Sequence, residues 1–181
     1  MVIISCSSEP KQAEATSLKQ QIERGEYLVN IGGCHHCHSP KIMTDKGPEI
    51  DPDRILSGHR SSSATPGVPP GIIGPESWGA LTNRELTAWA GPWGVSFASN
   101  LTPDEVTGIG AWLESSFIQA MRNGKHLGTG RPILPPMPWQ DIGRLSDDDL
   151  QAIFAYLKSL KPINNMVPLP IAPDKMTRSS M

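Results

Sequence analysis

Two cysteines and three histidines fill five consecutive positions, Cys34 to His38, in the stretch GGCHHCHSP. Thiolates and imidazoles are ligands of zinc and other transition metals. The same spacing also satisfies Cys-x-x-Cys-His, the signature of covalent haem attachment. The stretch therefore predicts either a metal-binding knuckle or a haem site.

A structural zinc site needs four ligands, usually from a second Cys-x-x-Cys pair or from two histidines a few residues apart. The third cysteine of the chain, Cys6, lies near the amino terminus, and His59 and His126 are far apart in the sequence. This spacing does not match a zinc finger. The haem interpretation is favoured, and a metal-binding module without haem stays as an alternative.

In the haem interpretation, Cys34 and Cys37 form thioethers with the two vinyl groups of one haem c. His38 follows directly, so a single turn places its neutral imidazole under the iron. His35 and His36 are then expected to be spacers rather than ligands.

The ring nitrogen of His38 that does not bind iron needs a hydrogen-bond acceptor to fix the ring orientation. The carbonyl of Pro40 or of Pro48 is the predicted acceptor, and the sequence does not choose between them. Met137 lies between two prolines in RPILPPMPWQD and is the predicted second axial ligand. Prolines restrict the backbone and hold such a loop ready.

Aromatic and polar residues near these positions are candidates for the haem pocket. Trp139 is predicted to line the pocket and to donate its indole N–H to a haem propionate. Arg131, Asn100 and Trp93 are weaker candidates for the same role.

Four segments carry helical signals. Apolar periodicity and capping residues predict helices over residues 18–31, 83–90 and 114–123, and a last helix that Ser146 opens and Pro162 ends. Residues 39–79 hold many prolines and glycines and read as irregular loops. We expect a small helical core threaded by long loops.

The composition is that of a globular domain. The chain has 181 residues, a formal net charge of −2 and 38% hydrophobic residues, with no apolar run long enough to span a bilayer. This charge gives no indication of nucleic-acid binding. Ile3-Ile4-Ser5-Cys6 is similar to a bacterial lipobox, so residues 1–16 are predicted to be a flexible tether with an acylated Cys6. The expected location is the periplasm or the outer face of the cytoplasmic membrane.

Four stretches together resemble a known family: RGEYLVNIGGCHHCHSPK, NLTPDEVTGIGAW, PPMPW and LSDDDLQAIFAYLKSLKP, in that order. They are similar to monohaem class I cytochromes c of the bacterial type that also occurs as cytochrome domains of membrane-linked dehydrogenases. The resemblance implies an all-α fold in which the first and last helices cross, with Gly25 and Tyr27 facing Phe154 and Leu157.

The same resemblance implies a cytochrome domain over residues 17–162 and an extended tail over 163–181. Residues 41–95 match the minimal pattern poorly and are interpreted as an insertion that covers part of the haem. The expected function is one-electron transfer without catalysis. The expected partners are a quinol-oxidising complex, a dehydrogenase or a terminal oxidase. A haem protein with an open sixth site, peroxidase-like or gas-binding, is the alternative.

Overall fold

The structure, a computed structural model, describes residues 9–64 and 67–176, with side chains from residue 17 onward. Cys6 and the lipobox prediction lie outside the described residues. The helices are α1 (Glu9–Ile31), α2 (Cys34–His38), α3 (Glu114–Asn123), α4 (Trp139–Ile142) and α5 (Asp147–Ser159). The strands are β1 (Lys41–Thr44), β2 (Gly47–Ile50), β3 (Leu81–Thr82), β4 (Ala88–Gly91) and β5 (Gly94–Phe97).

The all-α prediction is wrong, because residues 41–97 form two antiparallel sheets. β1 and β2 form a hairpin, and the second sheet has the strand order β3-β4-β5. The insertion therefore contains a β region, formed by these two sheets, while the described residues between β2 and β3 are mostly irregular, as the sequence predicted.

The helix predicted over residues 83–90 is also wrong, and a turn between β3 and β4 explains why. The side-chain oxygen of Asn83 accepts hydrogen bonds from the backbone N–H groups of Thr87 and Ala88, at 2.8 and 3.0 Å. Leu86 has a φ of 60° inside this turn. Asparagine favours such turns for the same reason that it favours helix caps, since its side chain bonds nearby backbone.

The other helix predictions are closer to the structure. α3 has the predicted bounds, and α5 follows Ser146, whose hydroxyl accepts the backbone N–H of Asp149 at 3.1 Å. The carboxylate of Asp149 accepts instead from Arg24 of α1 at 2.9 Å. The first helix begins at Glu9 rather than at Leu18, so part of the predicted tether is helical.

α1 and α5 cross at Gly25, as the resemblance implied. A Cβ atom at this position would lie 1.9 Å from the carbonyl oxygen of Ala152, so only glycine allows the helices to approach so closely. Its neighbours on α5 are Ala152 and Tyr156, not the predicted Phe154 and Leu157. Tyr27 does not face α5 residues of the core, because it is 57% exposed with Arg24 over its ring.

The hydrophobic core lies between these two helices, α3 and the loops that follow α2 and precede α3. Its buried members are Val29, Leu56, Ile109, Phe117, Ala120, Met121, Leu150, Ile153, Phe154 and Leu157. None of the helices over residues 9–64 and 67–176 is both long enough and apolar enough to cross a membrane.

The carboxyl-terminal segment is fastened to the insertion. Ile171 and Val95 of β5 exchange two backbone hydrogen bonds of 2.8 and 2.9 Å. Asn165 is buried, and its side-chain nitrogen donates to the carbonyl oxygens of Ser57 and His59. Residues 163–176 are therefore tied to the segment around Ser57 and His59 and to β5.

Candidate haem-binding site

The five-residue helix α2 carries the two cysteines and the histidine of the motif. Cys34 and Cys37 are half-buried free thiols, and burial raises the pKa of both. The Lys41 ammonium and the Trp89 indole lower the pKa of Cys37, against the larger effect of burial. One helical turn thus presents two thiols and the imidazole of His38 together.

His38 is held as a neutral imidazole with one free lone pair. It is only 9% exposed, and its Nδ1 lies 2.8 Å from the carbonyl oxygen of Ser99. A carbonyl oxygen only accepts hydrogen bonds, so Nδ1 carries the proton and Nε2 has the lone pair. Burial lowers the pKa of His38, which keeps the ring neutral. Nε2 has no hydrogen-bond partner within the part of the chain that the structure describes.

The predicted acceptors of the His38 ring are wrong, since the acceptor is Ser99. The carbonyl of Pro40 accepts instead from the backbone N–H of Asp51 at 2.9 Å, and Pro48 lies in β2 opposite Met43. Ser99 directly precedes NLTPDEVTGIGAW, one of the four stretches that carry the family resemblance. The sequence therefore marked this region, but not Ser99 itself.

A buried loop holds Ser99 next to the motif. The backbone N–H of Gly58 donates to the carbonyl of His38 at 2.8 Å, and that of His59 donates to the carbonyl of Ala98 at 2.9 Å. This loop therefore joins the end of α2 to the segment that supplies the acceptor.

The other two histidines of the motif have partners within their own turn. His35 Nδ1 lies 3.1 Å from the hydroxyl of Ser39, and His36 Nδ1 lies 3.1 Å from the carbonyl of Gly33. The ammonium of Lys41 donates to the carbonyls of His36 and Ser39 and so caps the end of α2. Neither ring is oriented by the acceptor that fixes His38.

Met137 lies in the methionine loop, defined here as residues 124–138 between α3 and α4. Its side chain is half-buried and packs against the helical core, and its N–H donates to the carbonyl of Leu134 at 3.3 Å. Met121 is a buried core residue, as the sequence predicted, and Met43 is 55% exposed on the β1–β2 hairpin.

The three-stranded sheet reaches this loop directly. The hydroxyl of Ser96 on β5 donates to the carbonyl of Pro135 at 2.5 Å. The same strand leads, two residues after its end, to Ser99, whose carbonyl accepts from His38. The three-stranded sheet therefore connects the cysteine motif to the methionine loop. Nothing in the sequence indicated that Ser96 takes part in this connection.

The four candidates for the propionates differ in availability. The Trp139 ring packs where a Cβ of Gly124 would lie, 2.3 Å from its Cε2. Asn100 is committed to hydrogen bonds with neighbouring backbone and hydroxyl groups. Trp93 Nε1 is buried without a partner, and Arg131 forms no ion pair with any described carboxylate. The donors of Trp93 and Arg131 are thus not used in this way, and their role at the propionates stays a prediction.

His59 also carries a buried polar atom without a hydrogen-bond partner. The sequence did not indicate His59 as a pocket residue. The ring is fully buried, packs on Phe97 and bonds the hydroxyl of Thr87 through Nδ1 at 2.9 Å. Its Nε2 has no partner among the described residues. Burial lowers its pKa, whereas the Glu85 carboxylate acts in the opposite direction.

The residues present fit haem c. The group needs two thiols one turn apart, an imidazole with a free lone pair, and donors for two carboxylates. Cys34, Cys37 and His38 meet the first two requirements. For the third, Trp93 Nε1 is a buried donor without a partner, but no contact among the described residues places it beside these three. An unpaired buried polar group costs about 1–3 kcal/mol, so such an atom indicates a missing partner.

The comparisons with known proteins agree with this site. The chain is 37% identical over 143 residues, 78% of its length, to the cytochrome c subunit of a quinone alcohol dehydrogenase from Gluconobacter oxydans. It is 32% identical over 158 residues, 87% of its length, to the fructose dehydrogenase cytochrome subunit of Gluconobacter japonicus. It is 28% identical over 135 residues, 75% of its length, to the gluconate 2-dehydrogenase cytochrome c subunit of Pantoea cypripedii.

The chain spans less than a quarter of the length of these curated relatives, at 22%, 24% and 22%. No protein-family model matches it. The site and the relatives together define a haem c domain. The chain belongs to the c-type cytochromes, as a domain similar to the cytochrome c subunits of dehydrogenases, which confirms the resemblance seen in the sequence.

Proposed function

We propose that the chain is a one-electron carrier with a single haem c, bound covalently through Cys34 and Cys37. His38 and Met137 are its axial ligands, and Trp139 lines the pocket. The observation that carries this proposal is the buried His38 ring, whose Nδ1–H donates to Ser99 and whose Nε2 lone pair is free. The names of the relatives, cytochrome subunits of dehydrogenases, support electron transfer rather than catalysis.

When bound, haem c accepts and releases one electron at its iron. The contribution of the chain is to hold the group and to keep its surroundings fixed. The Ser99 carbonyl sets the tautomer of His38, and the prolines around Met137 limit the freedom of its loop. His38 and Met137 would hold the iron between them, which would leave no open position for a substrate.

The insertion serves this function by covering part of the haem. Its three-stranded sheet leads from β5 to Ser99, the acceptor of His38, and contacts the methionine loop through Ser96, which supports a cover over the edge between them. Burial of the group and exclusion of water are the ways in which a protein raises the potential of a haem.

The partner is a redox protein, and a dehydrogenase is favoured because the relatives are named as subunits of such enzymes. A quinol-oxidising complex and a terminal oxidase are the alternative partners. The domain works in the periplasm or at the outer face of the cytoplasmic membrane. An acylated Cys6 would tether it there together with other lipid chains, since one chain anchors only marginally.

Covalent attachment is tested by denaturing the protein, extracting it with acidified solvent and recording a pyridine haemochrome spectrum. We expect one haem per chain, with all colour retained in the protein. Cys34→Ala and Cys37→Ala should each leave one thioether, while His35→Ala should leave both. Colour that passes into the solvent, or two haems per chain, contradicts the proposal.

The axial methionine is tested by Met137→Ala. Oxidised wild-type protein should show the weak far-red band of sulfur-to-iron charge transfer, and the variant should lose it, bind carbon monoxide when reduced and have a lower potential. Met121→Leu and Met43→Leu are the matched controls and should keep the band. Rapid binding of carbon monoxide by the wild-type protein would favour the open-site alternative instead.

A further inference from the structure

The end of the methionine loop around Met137 has few backbone donors. Its sequence LPPMP contains three prolines, which carry no backbone N–H, so this stretch offers mainly carbonyl oxygens for hydrogen bonding. Met137 N–H makes one long local bond of 3.3 Å to Leu134. The earlier part of the loop is held from within, by the N–H of Ile133 to the carbonyl of Gly124 at 2.8 Å and by that of His126 to the carbonyl of Arg131 at 2.9 Å. At the end that carries Met137, a donor from outside the loop adds to the single long bond.

Ser96 is that donor. Its hydroxyl donates to the Pro135 carbonyl at 2.5 Å, two residues before Met137, and Ser96 is only 8% exposed. The donor is thus shielded from water, although Pro135 itself is exposed, and the other carbonyl within reach, that of Trp89, is farther away at 3.4 Å. Ser96 sits on β5 opposite Trp89 of β4, so the donor belongs to a sheet and not to a flexible loop.

The carboxyl-terminal segment supports β5 from its other edge. Val95, next to Ser96, exchanges backbone hydrogen bonds of 2.8 and 2.9 Å with Ile171. Gly94 has a φ of 97°, and a Cβ there would lie 2.0 Å from the carbonyl oxygen of Ile171. Only glycine allows this close pairing, which fixes β5 between β4 and the carboxyl-terminal segment.

We propose that Ser96 is a positioning residue for Met137: its hydroxyl, on a strand held in place by Ile171, keeps the methionine loop closed over the sixth position. This inference rests on the proposed function, in which Met137 is the axial ligand. A thioether binds iron weakly, so the fraction of time that the sulfur is bound depends on the closing free energy of its loop.

The test compares Ser96→Ala, Ser96→Thr and the control Ser77→Ala. Ser77 precedes β3 and also donates to a carbonyl, that of Ile72 at 2.8 Å, but this bond does not involve a residue of the methionine loop. The measurements are the rate of carbon monoxide binding to the reduced protein and the far-red band of the oxidised protein. We expect Ser96→Ala to bind carbon monoxide roughly tenfold faster, as one lost hydrogen bond permits, and its far-red band to be weaker. Ser96→Thr should restore both, and Ser77→Ala should change neither.

A chain that ends at Leu169 removes the Ile171 pairing without altering Ser96, and it should also bind carbon monoxide faster than the full chain. If Ser96→Ala does not fold, this shortened chain decides, and a wild-type rate in it overturns the inference. A wild-type rate and band in folded Ser96→Ala overturn it as well. If the full wild-type chain lacks the band and binds carbon monoxide at once, the proposed function itself fails. This result differs from failure of the Ser96 inference, in which the wild-type chain has the band and Ser96→Ala behaves like it.

Discussion

Asn165→Asp is the most direct test of how the carboxyl-terminal segment holds the loop beside the haem motif. The side-chain nitrogen of Asn165 donates to the carbonyls of Ser57 and His59 at 2.7 and 2.8 Å, and its oxygen accepts the N–H of Ser61 at 3.0 Å. All side-chain groups are used, at a residue that is 3% exposed. The substitution keeps the shape but replaces the donor by a carboxylate oxygen that faces two carbonyls.

The cost follows from these contacts. Each buried carbonyl that loses its donor costs about 1–3 kcal/mol, so we expect a loss of about 4 kcal/mol in the free energy of unfolding at pH 7. For a chain of this size that corresponds to a fall of about 10 °C in Tm. Burial and the two carbonyls should raise the pKa of the introduced carboxyl group in the folded state above its unfolded value. The penalty is therefore smallest below the unfolded pKa and grows as the pH rises through the folded pKa.

The assay is urea unfolding followed by far-ultraviolet circular dichroism at pH 4 and pH 7. Asn30→Asp, an equal charge change at an exposed asparagine of α1, is the control and should stay within about 0.5 kcal/mol of the wild type. A variant Asn165→Asp as stable as the wild type at pH 7, or a penalty that grows as the pH falls, refutes the reasoning.

Three further predictions follow from the same structure. Gly25→Ala should destabilise the fold by about 2–3 kcal/mol by forcing the crossing helices apart, whereas Gly79→Ala, with open space around it, should not; equal unfolding midpoints would contradict this. A glutamate-specific protease should cut after the exposed Glu76 before the ion-paired Glu85, with the haem spectrum unchanged after the first cut; the reverse order would show that the sheet is not stably folded. Expression of the whole gene followed by cell fractionation should recover the protein in membranes with an acylated Cys6, and soluble protein with an unmodified cysteine would end that idea.

The helical part of the fold was predictable because its signals are local. α3 and α5 are long enough to show apolar periodicity, and their caps lie next to them in the sequence. The five strands are two to four residues long, too short for any alternation to be recognised. Thr82 and Glu85 have the spacing of a helix cap, but Asn83 uses the same kind of hydrogen bond to close a turn.

The site divides in the same way. The spacing of Cys34, Cys37 and His38 is a local pattern, so the candidate attachment residues could be read directly. The hydrogen bond from His38 to Ser99 spans 61 residues and depends on how the insertion folds, so periodicity and spacing carry no information about it. The contact between Ser96 and the methionine loop is hidden for the same reason.

The distance between His38 and Ser99 along the chain has a consequence for folding. Closing a flexible loop of about 60 residues costs about 1.5 kcal/mol more entropy than closing one of about 10 residues, and contacts between distant residues form late. The two cysteines lie on one short helix and need no distant segment to come together. We therefore expect the thiols to be in place early, while the imidazole acquires its fixed tautomer only when the whole β region has folded. The two halves of the site mature at different times during folding.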